Sequence, residues 1–176
     1  VDISVGSWYN ETRAKELYFT DPYLTNELVI VKRKQDPLNF NTPNEFKDYI
    51  DSKGYRLGVF KDYGYGEFFD EIAPLVSLNY FKYCTNMLRD VATKKSDIAL
   101  IDHWTASNSL KINENIAVHL EVIPSALISL GLHVTISLQR EDHKEIALAF
   151  NKTLKAMKED GSYNKILSKH NFPTLK

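Results

Sequence analysis

The chain has 176 residues, 43% of them hydrophobic and 26% charged, and its 22 Lys plus Arg against 23 Asp plus Glu leave a formal net charge of −1. This is the composition of a globular protein with one large domain or two small lobes. It excludes disorder and fibre formation and gives no electrostatic case for nucleic acid or an anionic membrane as the partner.

Val1, Ile3 and Val5 alternate with Asp2 and Ser4, so the sequence opens inside or at the edge of a β-strand. Without an initiator Met or a signal segment it reads as a fragment of something longer, the alternative being a mature protein whose N-terminus is its first strand. Glu11 to Tyr18 is a short polar connection that stops at Asp21-Pro22. Glu27 to Lys32 reads as a strand. Thr42-Pro43-Asn44-Glu45 then supplies a capping hydroxyl, a proline at the first helical position and an acidic first turn, which predicts a helix to about Ser52 that ends near Gly54. Phe46, Tyr49 and Ile50 share one face of that helix.

A strand over Tyr55 to Phe60 runs into the turn Lys61 to Gly66 and a helical pattern carrying Phe68, Phe69 and Ile72, broken at Pro74. A strand around Asn79 to Tyr83 precedes a helix capped near Thr85 that runs through Val91 to the Lys94-Lys95-Ser96 cluster. Ile98 to Ile101 is continuously apolar, the mark of a strand covered on both faces, and Asp102 stands at its C-terminal end. His103 to Lys111 reads as helix, with Ala117 to Ile123 and His133 to Leu138 as strands. The run Val122 to Leu132 is interrupted by Pro124, two serines and Gly131, well short of the roughly 20 apolar residues of a transmembrane helix. Asp142 and Glu145 form a capping box for a helix striped by Ile146, Phe150, Leu154 and Met157, with Gly161 as its stop. Ser162 caps a last helix in which Tyr163, Ile166, Leu167 and His170 share a face.

Alternating strands and helices imply an α/β fold, whose ligands bind in the crevice at the carboxyl ends of the strands. Two features fall there. Tyr63-Gly64-Tyr65-Gly66 offers backbone N–H groups at a helix N-terminus, an anion cradle, or simply a tight turn; Asp102 offers a carboxylate at a strand end, or simply caps the next helix. The single cysteine, Cys84, excludes an internal disulfide and a multi-cysteine metal site. The histidines at 103, 119, 133, 143 and 170 lack ligand spacing, so no metal is expected. His103 beside Asp102 is a weak acid–base pair, and no G-x-S-x-G, H-E-x-x-H or P-loop is present.

The opening VDISVGSWYNETRAKELYFTDPY, with a strand, a short loop, Arg13 and an aromatic-Thr-Asp-Pro-Tyr sequence, resembles the middle of the type 2 periplasmic solute-binding proteins of ABC importers, the polar amino-acid binders of family 3. Three further stretches resemble that family: Leu57 to Phe60 running into Tyr63 to Gly66, Asn86 to Asp102, and Phe150 to Tyr163. The resemblance implies an α/β, two-lobe, hinge-connected fold of type II with lobe one at 1–25 and 131–176, lobe two at 26–130, and the first part of lobe one missing.

By position, the resemblance implies that Arg13 binds a ligand α-carboxylate and Asp102 an α-ammonium. Gly6 and Trp8 line the lobe-one side, and Tyr63, Gly64 and Tyr65 the lobe-two side, of a cleft that closes on a zwitterion. A guanidinium fork suits a carboxylate in any case. The null alternative for Arg13 is a surface ion pair with Glu11 or Glu16. Trp8 stands where many amino-acid binders carry a small hydroxyl residue. The implied function is the periplasmic or lipid-anchored, monomeric solute-binding subunit that serves a membrane permease, with no cofactor and a signal peptide in the precursor. A ligand-sensing domain of a membrane receptor and a dehydratase-like enzyme are the alternatives on the same fold.

Overall fold

In chain order the first elements are strand β1 (Ile3–Trp8), helix α1 (Glu11–Ala14) and strand β2 (Leu17–Phe19). The computed structural model describes residues 2–61, 63–170 and 172, so Val1 and Asp62 in the expectations above lie outside the described residues. Next come β3 (Leu24–Arg33), α2 (Pro43–Lys53), β4 (Arg56–Phe60) and α3 (Glu67–Ile72), the last continued by a 3-10 turn at Ala73–Leu75. They are followed by β5 (Ser77–Phe81), α4 (Cys84–Ala92), β6 (Ile98–Asp102), α5 (His103–Ile112) and α6 (Glu114–Ala117). The chain ends with β7 (Leu120–Val122), β8 (Ile128–Ser137), α7 (His143–Glu159) and α8 (Ser162–Lys169). It divides into two compact units, Val1–Leu24 with Gly131–Lys176, and Thr25–Leu130, so the divisions fall within β3 and β8.

The Thr25–Leu130 unit is built on a mixed sheet. β6 runs parallel to β4, and β4 parallel to β5, while β3 is antiparallel to β6 on one edge and to β7 on the other. β6 is buried at all five positions because both sheet faces are covered, as its continuous apolar run demands. One face packs Val29, Val31, Ala99 and Ile101 against Met87, Leu88 and Val91 of α4 and Ala106 of α5. On the other, the alternate strand residues Leu28, Ile30, Ile98 and Leu100 are fully buried. The α2 signals act as their chemistry requires. Thr42 Oγ1 accepts from Glu45 N at 3.2 Å, Pro43 opens the helix, and Gly54 ends it at φ +64°, where only glycine is unstrained.

In the other unit β8 lies between β1 and β2 and is antiparallel to both. The β1 register slips between Val5 and Ser7, because Gly6 sits at φ +80° and forms a bulge. The opening alternation therefore does not mark a buried face: Ile3 and Val5 are exposed, and burial begins only after the bulge, at Ser7 and Trp8. α7 and α8 meet through Leu154, Tyr163 and Leu167.

Several boundaries differ from the sequence reading. The Ala117 to Ile123 stretch is strand only at Leu120–Val122, the short β7, because Ala117 still belongs to the helical turn α6, which begins after Asn113, whose side-chain amide donates to Ser109 O at 2.7 Å. β5 starts two residues earlier than expected and α4 begins at Cys84, with no side-chain cap from Thr85. The Asp142–Glu145 capping box does not form, because the Asp142 carboxylate is taken by Arg140 Nε and Nη2 at 2.8 and 2.7 Å, a charge-assisted fork that outcompetes a backbone amide. At the last helix Gly161 is the cap and Ser162 the first helical residue.

Candidate functional site

Asp102 ends β6, only 3% exposed, and caps α5. Its Oδ1 accepts from Thr105 N at 2.9 Å and from Asn26 Nδ2 at 3.0 Å, while Oδ2 accepts from Tyr63 Oη at 3.3 Å. The sheet register explains the Asn26 contact: Leu28 of β3 lies directly opposite Asp102, and Asn26, two residues back on the same face, is its diagonal neighbour. Asn26 is 6% exposed and fixes its own amide by accepting from Glu27 N at 2.9 Å. Helix capping and ligand reading are thus not exclusive for this carboxylate, since the cap uses one oxygen.

The Tyr63 to Gly66 turn carries an aromatic ladder. Tyr65 N–H donates to Tyr63 O at 3.1 Å, and the Tyr65 hydroxyl is buried, accepting from Phe60 N at 2.8 Å and donating to Leu100 O at 3.1 Å. Tyr65 therefore fastens the turn to β4 and β6, and its ring supports Tyr63 at 5.1 Å between centroids. Phe60 also packs on Tyr63, its centroid 5.3 Å away. Burial first, and then the Asp102 charge, push the Tyr63 phenol well above its ordinary range, so it stays a donor to Asp102. Gly64 is half-buried in the same turn, and Gly66 at φ +81° caps α3.

In the other unit Arg13 is half-buried on α1, a helix started by Asn10, whose Oδ1 accepts from Thr12 N at 2.9 Å and Arg13 N at 3.2 Å. Among the described residues the Arg13 guanidinium forms no ion pair, either with Glu11 or with Glu16. Gly6 makes the β1 bulge, with the Tyr23 hydroxyl 3.8 Å from where its Cβ would stand, and Trp8 is buried at the end of the strand. Close by in the same sheet, Ser7 Oγ and Thr135 Oγ1 pair at 3.4 Å and His133 Nδ1–H donates to Thr20 O at 2.7 Å.

The structure thus gathers Asp102, Tyr63 and Tyr65 into one cluster and adds Asn26, which the sequence reading did not single out. The signal for Asn26 was available: it continues the buried alternation of Leu28 and Ile30, and a polar side chain in that row needs a partner. An apolar groove of about 320 Å³ along α7 and α8, lined by Phe150, Leu154, Met157 and Tyr163, holds none of the seven expected residues. Among the described residues no three His, Cys, Asp or Glu side chains are grouped to hold a metal ion.

The mixed sheet with flanking helices is the α/β fold of the type II periplasmic binding proteins. An ancestral arginine-binding protein bound to arginine matches with a TM-score of 0.76 and 22% identity over 96% of this chain and 71% of that one. A histidine kinase sensor domain with similarity to periplasmic binding proteins matches with a TM-score of 0.77 and 20% identity over 96% and 69%. The chain belongs to the bacterial extracellular solute-binding proteins, family 3, whose family model matches residues 1–173. ABC transporter arginine-binding protein 1 of Escherichia coli (strain K12) is 26% identical over 155 residues, 88% of this chain, which spans 59% of that relative's length. Among the described residues no helix is long and apolar enough to cross a membrane.

Proposed function

We propose that this chain carries the solute-binding function of an ABC importer, taking up a polar amino acid outside the cytoplasmic membrane and handing it to a membrane permease. The observation that carries this reading is the family match over residues 1–173. The arginine-binding relative makes L-arginine the first candidate. Localisation is periplasmic or lipid-anchored, the protein is a monomer, and it binds its solute without transforming it.

In this reading Arg13 takes the α-carboxylate through its planar fork, and Asp102 takes the α-ammonium. The half-buried guanidinium, without an ion pair among the described residues, supports the first role, and the oxygen of Asp102 left over from helix capping supports the second. Gly6 and Trp8 shape the surroundings of one group, and Tyr63, Gly64 and Tyr65 those of the other. A ligand-sensing domain is the second reading, favoured by the likeness to the kinase sensor domain, and it requires a kinase segment in the same polypeptide.

The test is a thermal-shift screen of the full-length protein against L-arginine, other amino acids, polyamines and small carboxylates. A ligand at 100 times its Kd stabilises by about 2.7 kcal/mol. A shift with L-arginine that Arg13→Ala removes is the expected result. A shift with polyamines alone, or none with any amino acid, rejects the amino-acid reading.

A further inference from the structure

The two oxygens of Asp102 are held very differently. Oδ1 receives two N–H donors at 2.9 and 3.0 Å, both from fixed backbone or buried side chain, so the carboxylate plane cannot turn without breaking the α5 cap. Oδ2 receives, among the described residues, one phenol at 3.3 Å. A phenol on a carboxylate ordinarily sits at about 2.5–2.7 Å, so this contact is long and weak for its kind. Tyr63 as a residue is also 41% exposed, whereas Asp102 and Asn26 are buried.

The geometry points to Tyr63 as a built-in occupant of the Asp102 carboxylate, a hydroxyl that holds Oδ2 and must yield it to an incoming ammonium. Asn26 and Thr105 N are what make the exchange possible, since they keep Oδ1 fixed while Oδ2 changes partner. Tyr63 thereby sets a selectivity threshold: a full positive charge replaces the phenol with a stronger, charge-assisted bond, whereas a neutral or anionic group at that position gains too little to do so. The inference rests on the proposed ammonium-reading role of Asp102.

Removing the hydroxyl alone distinguishes the possibilities, because Tyr63→Phe keeps the ring and its contacts with Phe60 and Tyr65. The probes are L-arginine and 5-guanidinopentanoate, which is L-arginine without its α-amine, titrated calorimetrically into the full-length protein and its variants. Tyr63→Phe is expected to tighten L-arginine by about three- to tenfold, the worth of one hydrogen bond no longer displaced, and to leave 5-guanidinopentanoate unchanged. In an Asp102→Asn background the tightening is expected to vanish.

Weaker or unaltered L-arginine binding by Tyr63→Phe, or equal tightening of both probes, overturns the inference while leaving the ammonium reading in place, provided that Asp102→Asn still penalises only L-arginine. Equal loss of both probes in Asp102→Asn, or no L-arginine binding by the wild type, removes the ammonium reading and the inference with it.

Discussion

Asp97 and Asp102 stand at opposite ends of the β6 region and use their charge for different ends. Asp97 Oδ2 accepts from Arg56 N at 3.0 Å and Arg56 Nε at 2.9 Å, and Oδ1 accepts from Arg56 Nη2 at 2.9 Å and Arg33 Nη2 at 3.4 Å. Those bonds, Arg56 foremost, hold the Asp97 carboxyl below its ordinary range. A carboxyl depressed in the folded state stabilises fully above its unfolded pKa, and that stabilisation is lost as the pH falls through the ordinary carboxylate range toward the folded value. Because Arg56 is nearly half exposed, the contribution is modest, about 1 kcal/mol. Asp97→Asn is expected to lower the urea midpoint at pH 7 and to shrink the further loss between pH 5 and pH 3. Urea curves whose pH dependence matches the wild type would count against this role. Arg13 differs, because no carboxylate pairs with it among the described residues. Its replacement by Ala is expected to leave the unfolding free energy from urea curves within about 0.5 kcal/mol of wild type, as for a surface change, and to weaken amino-acid binding by more than about 2 kcal/mol. An unchanged Kd in the full-length protein sinks its assignment.

Between elements, a close junction is where α4 lies on β4. A Cβ at Gly58 would stand 3.0 Å from Met87 Cγ and 3.5 Å from Ile98 O, so the glycine lets the helix approach the sheet. Gly58→Val is expected to cost about 1–3 kcal/mol in thermal or urea unfolding, the range for overpacking. Met87→Ala should cost less in that background than alone, since it empties the space the valine needs. Strictly additive costs would place the strain elsewhere. How far the sequence discloses such elements depends on whether the signal is local. Thr42, Pro43 and Gly54 delimit α2 because cap, first-turn proline and left-handed stop all act within a few residues. The α7 box misleads because Arg140, outside the pattern, captures Asp142. The β1 alternation discloses the strand but not its burial, which begins only past the register change at Gly6. At the candidate site, Asp102 is legible from the apolar run that precedes it. Its Asn26 contact is not, because it joins residues 76 apart through the β3–β6 pairing.

At the scale of the whole chain, the two units differ in how they are assembled: Thr25–Leu130 is one continuous stretch, whereas the other is made of two separated pieces. The continuous unit owns its sheet from β7 through β3, β6 and β4 to β5. It also carries a core on one face of that sheet, from Val29 to Leu120, and fully buried strand residues on the other. Roughly a hundred residues with their own core lie within the ordinary size of an autonomous domain. Its parallel strands β4, β5 and β6 are connected inside the same stretch, with α3 between β4 and β5 and α4 between β5 and β6 in the chain, so the connections between those strands stay within the piece. A polypeptide of residues 25–130 is therefore expected to fold by itself and to unfold in one cooperative thermal transition, with a stability in the ~5–15 kcal/mol range of single domains or somewhat below it. It should also keep the Tyr63–Asp102–Asn26 cluster, whose members all lie inside it. Circular dichroism and amide exchange on that polypeptide decide the matter: slow exchange in β6 accompanied by a sigmoidal melt makes the unit a domain, and a broad, non-cooperative melt means that the sheet depends on chain outside residues 25–130.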